Sequence, residues 1–258
     1  MPTWNAGQYL KFAEERTQPC RDLAARLPTG DIRSIIDLGC GPGNSTRILA
    51  ERWPGARITG IDNSPSMIDV ARREQPQHRW VASDIVRWAS EECEQFDIVF
   101  SNAALQWVPD HAALYPRLFA RVRSGGAFAV QIPSNFNSPP HRMMREIASP
   151  GMDVKEWHAH PPGFYYDLLA PLAARVDMWE TEYHHVLPNA EAIVEWYKGT
   201  GLRPFLEELQ TDSDRAQFLA EYLKRIREAY PLRPDGNVLF PFRRLFVIAY
   251  TKDVNADN

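Results

Sequence analysis

The chain has little with which to cross-link, chelate a metal or enter a membrane. Its three cysteines, Cys20, Cys40 and Cys93, are too few and too scattered for a disulfide framework or a zinc site. No apolar run approaches the roughly 20 residues that span a bilayer. The opening "MPTWNAGQYLKF" lacks the basic-then-apolar pattern of a signal peptide. A cytoplasmic protein is expected. The formal net charge is −4 and the pI near 6.0, so no general polyanion-binding surface is built and nucleic acid is not an expected partner. Lysine is scarce, five against 24 arginines. A coding bias covers that surplus as a whole, so each arginine is judged by its place. Repeats and low-complexity tracts are also missing.

What is present is an alternation of strand and helix signals in the first half. Ile32 to Leu38 is an apolar run, followed by the glycines Gly39, Gly41 and Gly43 and by Asn44, Ser45 and Thr46, which offer cap chemistry for a helix to Arg52. "ARITGID" predicts a second strand ending at Asp62. Ser64-Pro65 then opens a helix with Met67, Ile68 and Ala71 on its apolar side. "HRWVASD" ends a third strand at Asp84, and Phe96 to Asn102 is a fourth. "HAALYPRLFARV" predicts a helix, and Gly125-Gly126 turns into the fifth strand "AFAVQIP". Strands spaced by helices imply βαβ units, a parallel sheet and a ligand at the carboxyl ends of its strands. The residues that matter should therefore stand at Asp37–Gly43, Asp62, Asp84, Ser101 and Asn102.

After Ile132 the rhythm breaks into a Pro-, His- and aromatic-rich insertion. Met178–Leu187 predicts a sixth strand and "LFPFRRLFVIAYTK" a last one. Glu191–Lys198 and Asp212–Ala229 predict helices, the second with Phe218, Leu219, Tyr222, Ile226 and Ala229 as its core side. The expectation is a single α/β domain: a Rossmann-like, mostly parallel seven-stranded sheet with helices on both faces, and a helical lid inserted after strand 5 and before the last strand. Its parts are an N-terminal cap (1–31), a cofactor core (32–132), a lid with strand 6 (133–235) and the last strand (236–258).

The loop reads D-x-G-x-G-x-G from Asp37 to Gly43. The dinucleotide fingerprint is G-x-G-x-x-G, which would need glycine at Asn44 or at Thr46. Neither register fits, which argues against a pyrophosphate and a dehydrogenase. The spacing, with an acidic residue 19 positions past Gly43 at Asp62 and another at Asp84, resembles that of class I S-adenosylmethionine-dependent methyltransferases. That resemblance implies S-adenosylmethionine as methyl donor, with S-adenosylhomocysteine as its product. It implies a glycine loop (Gly39, Cys40, Gly41, Gly43) under the methionine moiety and Asp62, with Asn63, at the ribose hydroxyls. Met67 would lie against the adenine, Asp84 and Ile85 would meet its amino edge, and Ser101 and Asn102 would stand at the end of the fourth strand. Trp4 and Tyr9 could close over the cofactor or act as a hydrophobic staple.

"SNAALQW" at Ser101–Trp107 departs from the Asn-Pro-Pro-Tyr-type motif of nitrogen methyltransferases, which favours an oxygen acceptor. Together with "WNAGQYLKFAEERTQPCRDLAARL" and "EWYKGTGLRPFLEEL", it resembles the branch of that family that esterifies a small tricarboxylic acid, and implies transfer to one carboxylate of trans-aconitate. Another small acid or hydroxylated metabolite as acceptor, or a module that binds the donor without catalysis, stays open. A carboxylate is ionised at neutral pH, so no general base is expected. Positioning and guanidinium clamps should dominate. Lys198 and Arg203 are the favoured clamps, with Arg16, Arg142, Arg145, Arg243 and Arg244 as further candidates. Of Arg243 and Arg244 at most one can face inward. Gln106 and Trp107 should lie on the substrate side. His141, His158, His160, His184 and His185 are expected to be structural or exposed, and no metal is expected.

Overall fold

In the computed structural model the apolar runs of the first half become the strands of a sheet, the central ones buried on both faces and the edge one partly exposed. The structure describes residues 13–91, 94–148, 152, 154 and 159–253; Trp4, Tyr9 and His158 lie outside the described residues, as does the side chain of Arg16. The first half runs α1 (Ala13–Ala25), β1 (Ser34–Leu38), α2 (Asn44–Arg52), β2 (Arg57–Asp62), α3 (Pro65–Glu74), β3 (Arg79–Ala82), α4 (Ile85–Glu91), β4 (Phe96–Asn102), α5 (His111–Phe119) and β5 (Val122–Pro133). The second runs α6 (Pro139–Ile147), α7 (Pro162–Leu169), β6 (Arg175–Leu187), α8 (Ala190–Lys198), α9 (Arg203–Glu208), α10 (Asp212–Ala229) and β7 (Val238–Tyr250).

The seven strands form one sheet in the order β3-β2-β1-β4-β5-β7-β6. β1 to β5 pair in parallel, and β7 runs antiparallel between β5 and β6. The order reverses between β1 and β4, and a crevice opens there at the carboxyl ends of the strands. β1 is buried at every position, as a strand covered on both faces must be. Ile36, Val99, Phe128 and Val247 face α4, α5 and α7; Ile35, Ile98, Phe100, Ala129 and Ile248 face α1 and α2.

Local chemistry moves several boundaries. α2 is capped by Gly43 at φ 96°, not by an Asn44 side chain; Asn44 is already helical. Ser64 does cap α3, with Pro65 in its first turn. The helix expected to reach Val122 stops at Phe119, because Val122 already pairs with Phe96 as β5 begins; a register shift between Phe96 and Ile98 absorbs Gly125-Gly126 inside the strand. β6 starts at Arg175, before Met178. In α10, Phe218, Tyr222 and Ile226 are buried and Leu219 partly so, but Ala229 is exposed, since the helix is ending there.

The second half builds a core of its own. β7 pairs with both neighbours only from Arg244 to Tyr250; from Val238 to Arg243 it pairs with β6 alone. The β6–β7 ribbon therefore projects past Pro133, the carboxyl end of β5. Phe240 and Phe242 on that ribbon pack with Met144 of α6, Trp196 and Tyr197 of α8, Phe205 of α9 and Tyr222 of α10. This cluster stands on the side of the sheet where the crevice opens.

Candidate active site

The crevice begins where β1 ends. The backbone N–H groups of Gly39 and Cys40 both donate to the carbonyl of Ile61, at 2.7 and 3.0 Å. This ties the loop to β2. Gly39 has φ 72°, and a Cβ there would lie 2.2 Å from the Cβ of Ala104, so the loops after β1 and β4 touch only because Gly39 has no side chain. Gly41 has φ 54°, and a Cβ there would meet nothing within 4 Å. Its bare backbone edges open space.

Asp62 closes the loop from the other side. Its Oδ2 accepts from the Gly41 N–H and its Oδ1 from the Ser64 N–H, both at 2.9 Å. Burial pushes its carboxyl above the usual range, and those two donors oppose the rise. Two oxygens offer about four acceptor positions, and the backbone uses two. Two remain, the number a vicinal diol can fill. Asp37, directly behind the loop, is wholly buried, and its Oδ2 accepts from the hydroxyls of Ser45 (2.7 Å) and Thr46 (2.6 Å) at the start of α2. Burial raises its pKa to about 6.

Gly39, Gly41, Asp62, Asn63, Met67, Asp84, Ile85, Asn102 and Trp107 line one cleft, together with Pro42, Ala103, Ala104, Val108 and Pro109. Asp84 is exposed, and its Oδ1 accepts from the N–H groups of Val86 (2.8 Å) and Arg87 (3.1 Å), so it also caps α4. Past β4 the chain turns through Ala103 at φ 53°, a left-handed conformation that costs a non-glycine residue about 1–2 kcal/mol. The turn is over-determined. The Ala103 N–H donates to the Gln131 carbonyl at 2.9 Å, and the Gln106 amide donates to the Ala103 carbonyl at 2.7 Å. His111 bridges the Leu105 carbonyl (2.8 Å) and the Tyr165 hydroxyl (3.0 Å).

Other expected site residues stand outside this lining. Cys40 packs with Ile68, Ala71 and Trp80 beneath the loop, and the Gly43 carbonyl accepts from Gln75 at 2.9 Å. The Ser101 hydroxyl donates to the Leu38 carbonyl (2.9 Å), bracing β4 against β1. Gln106 is buried behind the Ala103 turn rather than facing the cleft. Lys198 pairs with Glu195, and Arg203 with Glu207 at 2.7 Å, each on its own helix. Arg142 is exposed; Arg145 donates to the Phe136 carbonyl (3.0 Å). Arg243 is exposed and pairs with Glu182 (3.4 Å), while Arg244 is buried, as alternation along a strand requires. His160 and His184 are exposed; His141 and His185 are buried, with burial lowering them to about 3 and about 4.

Sequence reasoning missed Pro42, Ala103, Ala104, Val108 and Pro109, which carry no chemical signature and take their place from the turn they form. It also passed over Gln131, which sits in an apolar strand. The residues present fit S-adenosylmethionine: Gly41 leaves an open cradle, Asp62 keeps two acceptor positions, and the buried Oδ1 of Asn102 has no hydrogen-bond partner. That oxygen is a ready acceptor for an ammonium group.

Comparison with known proteins adds the lineage. A family model described as a methyltransferase domain matches residues 35–126. The chain is 48% identical to a trans-aconitate 2-methyltransferase of Azoarcus sp. (strain BH72), over 96% of this chain and 99% of that one. It is 47% identical to one of Variovorax paradoxus (strain S110), over 98% and 100%. Among solved structures, Haemonchus contortus phosphoethanolamine N-methyltransferase 2 in complex with S-adenosyl-L-methionine shares the fold, with a TM-score of 0.57 at 15% identity, over 95% of this chain and 57% of that one.

Proposed function

The chain belongs to the family of trans-aconitate 2-methyltransferases, within the class I S-adenosylmethionine-dependent methyltransferases, and on that premise we propose how its residues esterify one carboxylate of trans-aconitate to a monomethyl ester. The observation that carries the substrate is kinship over 96% of the chain, including the second half that the methyltransferase-domain match at 35–126 leaves out.

When bound, S-adenosylmethionine supplies a methyl group on a positively charged sulfur, which an ionised acceptor oxygen takes as the carbon–sulfur bond breaks and its electron pair stays on sulfur. No proton moves, so no general base is needed. The chain's work is positional. Asp62 accepts the two ribose hydroxyls on its remaining lone pairs. Asp84 turns its second oxygen to the adenine edge, with Met67 and Ile85 as the apolar walls. Gly39 and Gly41 let the backbone approach the methionine moiety, and the Asn102 Oδ1 accepts from its ammonium. Cys40, Gly43 and Ser101 act from behind, by holding the loop and the β1–β4 contact. Trp107 covers the methyl-transfer end, on a turn that Gln106 keeps in place. The helices of residues 133–235 form the cap, with Lys198 and Arg203 on it. No described helix is long and apolar enough to cross a membrane, and the cytoplasm is the proposed setting.

Incubation with methyl-labelled S-adenosylmethionine and a panel of trans-aconitate, cis-aconitate, isocitrate and citrate tests the reading. A base-labile methyl ester forming fastest on trans-aconitate is the expected result. Tight S-adenosylhomocysteine binding with no transfer to any acid would replace the enzyme by a binding module.

A further inference from the structure

We propose that Arg244 and Gln131 form the anchor for an acceptor carboxylate that is not methylated. This rests on the acid-esterifying reading above and assigns the clamp to β5 and β7 rather than to α8 and α9.

The anchor lies one strand beyond the cleft. Asn102 lines the cleft and is the register partner of Gln131, so the two side chains share a face of the sheet. Gln131 alternates with Ala127 and Ala129, which face α1 and α2; Arg244 alternates with Phe246 and Ile248 on the same side. A guanidinium nitrogen of Arg244 lies 3.4 Å from the Oε1 of Gln131, at the limit of a hydrogen bond, and fixes which way the amide points. Its Nε2 is thereby aimed away from Arg244, and this donor has no hydrogen-bond partner although Gln131 is 0% exposed. Leaving a buried donor unmet costs about 1–3 kcal/mol, which an incoming oxygen removes.

The surroundings suit an anion. Arg244 is 3% exposed, its guanidinium 4.6 Å from the centre of the Phe242 ring. Its charge is felt by Tyr183, His185 and Tyr197, the last from α8. His185 is held neutral there. Tyr197 in turn accepts from the Asn135 amide at 3.1 Å. A guanidinium and a carboxamide each offer N–H groups of the kind that hold a carboxylate, here side by side on one face of β5 and β7. Two strand spacings, about 10 Å, separate β4 from β7, and the inward-reaching Arg244 side chain shortens that span to the size of a small polycarboxylate.

The test uses the full chain. Trans-aconitate, and a dicarboxylate analogue lacking one of its carboxyl groups, are titrated into protein saturated with S-adenosylhomocysteine, and both are assayed as acceptors. Arg244→Gln is expected to raise Kd and KM for trans-aconitate about 100-fold, the loss of one strong charge-assisted interaction. Its S-adenosylhomocysteine affinity should stay within about twofold, and its preference for the tricarboxylate over the dicarboxylate should collapse. Gln131→Met should lose the same preference by about tenfold. An unchanged Kd, or an equal loss on both acids, overturns the anchor. If Arg244→Gln does not fold, Gln131→Met decides alone, and a retained preference overturns it. Wild-type protein that esterifies none of these acids defeats the functional reading, whereas the binding preference, which needs no turnover, still decides the anchor.

Discussion

The glycine-loop side of the sheet and the helical group beyond β5 hold buried charge in opposite ways. Under the loop the titratable groups are acids. Burial lifts Asp37 to about 6 and raises Asp62, and hydroxyls or backbone N–H groups keep them ionisable. In the helical group the buried histidines are pressed toward neutrality, and burial keeps the phenols of Tyr197, Tyr222 and Tyr230 protonated beside them. His141, on α6 against Tyr197 of α8, is lowered to about 3 by burial and by Arg145, and His185 to about 4 by burial and by Arg244. One region offers carboxylate and amide oxygens, which suits the hydroxyl and ammonium donors proposed to bind there. The other keeps its imidazoles neutral beside arginines, which leaves the positive charge on guanidinium groups. A donor that is a cation and an acceptor that is a polyanion need these two environments side by side.

The largest break in that comparison should come from Asp62→Ala. It removes the carboxylate that holds the loop and is proposed to take the ribose, so S-adenosylhomocysteine affinity should fall about 100-fold or more, measured by calorimetry. At saturating donor the KM for the acid should stay within about twofold, because the acceptor side is untouched. A parallel collapse of both constants would erase the division of labour. Next comes Gly39→Ala. A left-handed alanine and a Cβ driven into Ala104 should together destabilise the protein by about 2–3 kcal/mol in urea unfolding. Gly41→Ala, whose Cβ meets open space, should cost less stability and weaken the cofactor instead.

The core could be read from its sequence because parallel strands leave a strong local imprint. Asp62 and Asp84 each end an apolar run and each begin a turn, so chain position alone put them beside Gly39 and Gly41. The helical second half was less legible. α6 and α7 start at proline pairs inside a segment crowded with Pro, His and aromatic residues, and their packing comes from Met144 and Tyr165 meeting distant partners. Lys198 and Arg203 looked like clamps because charge is visible in a sequence, whereas the Glu195 and Glu207 that hold them matter only once the helices form. Arg244 was one of two equivalent arginines until register put it inward and Arg243 outward.

The two regions should also answer pH with opposite signs. Asp37 is raised to about 6, so between about pH 4 and pH 6 the native state holds a proton that the unfolded chain has lost. Stability from this group is full below pH 4 and lost as pH rises through 6, about 3 kcal/mol in all. For His141, lowered to about 3, the unfolded chain takes up a proton below about pH 6.5 that the native state refuses. Its contribution therefore falls with falling pH, by about 2 kcal/mol between pH 6.5 and pH 5. Unfolding free energies across pH 4–7 should show Asp37→Asn gaining on the wild type as pH rises, and His141→Gln gaining as pH falls. Equal slopes in all three proteins would mean that neither group carries the pH response.

The smallest effect expected is the one that best separates two cations. Arg203 is 17% exposed at its side chain and is held by Glu207 one turn on, a pairing that contributes about 0.3–0.5 kcal/mol in helices. Its Nε is already committed to that carboxylate, which holds the side chain along its own helix. Arg203→Ala should therefore move the KM for trans-aconitate less than about threefold, against about 100-fold for Arg244→Gln. Steady-state kinetics at saturating S-adenosylmethionine make the comparison directly. A larger shift for Arg203→Ala than for Arg244→Gln would return the clamp to α8 and α9, and leave Gln131 and Arg244 as props for the end of β5.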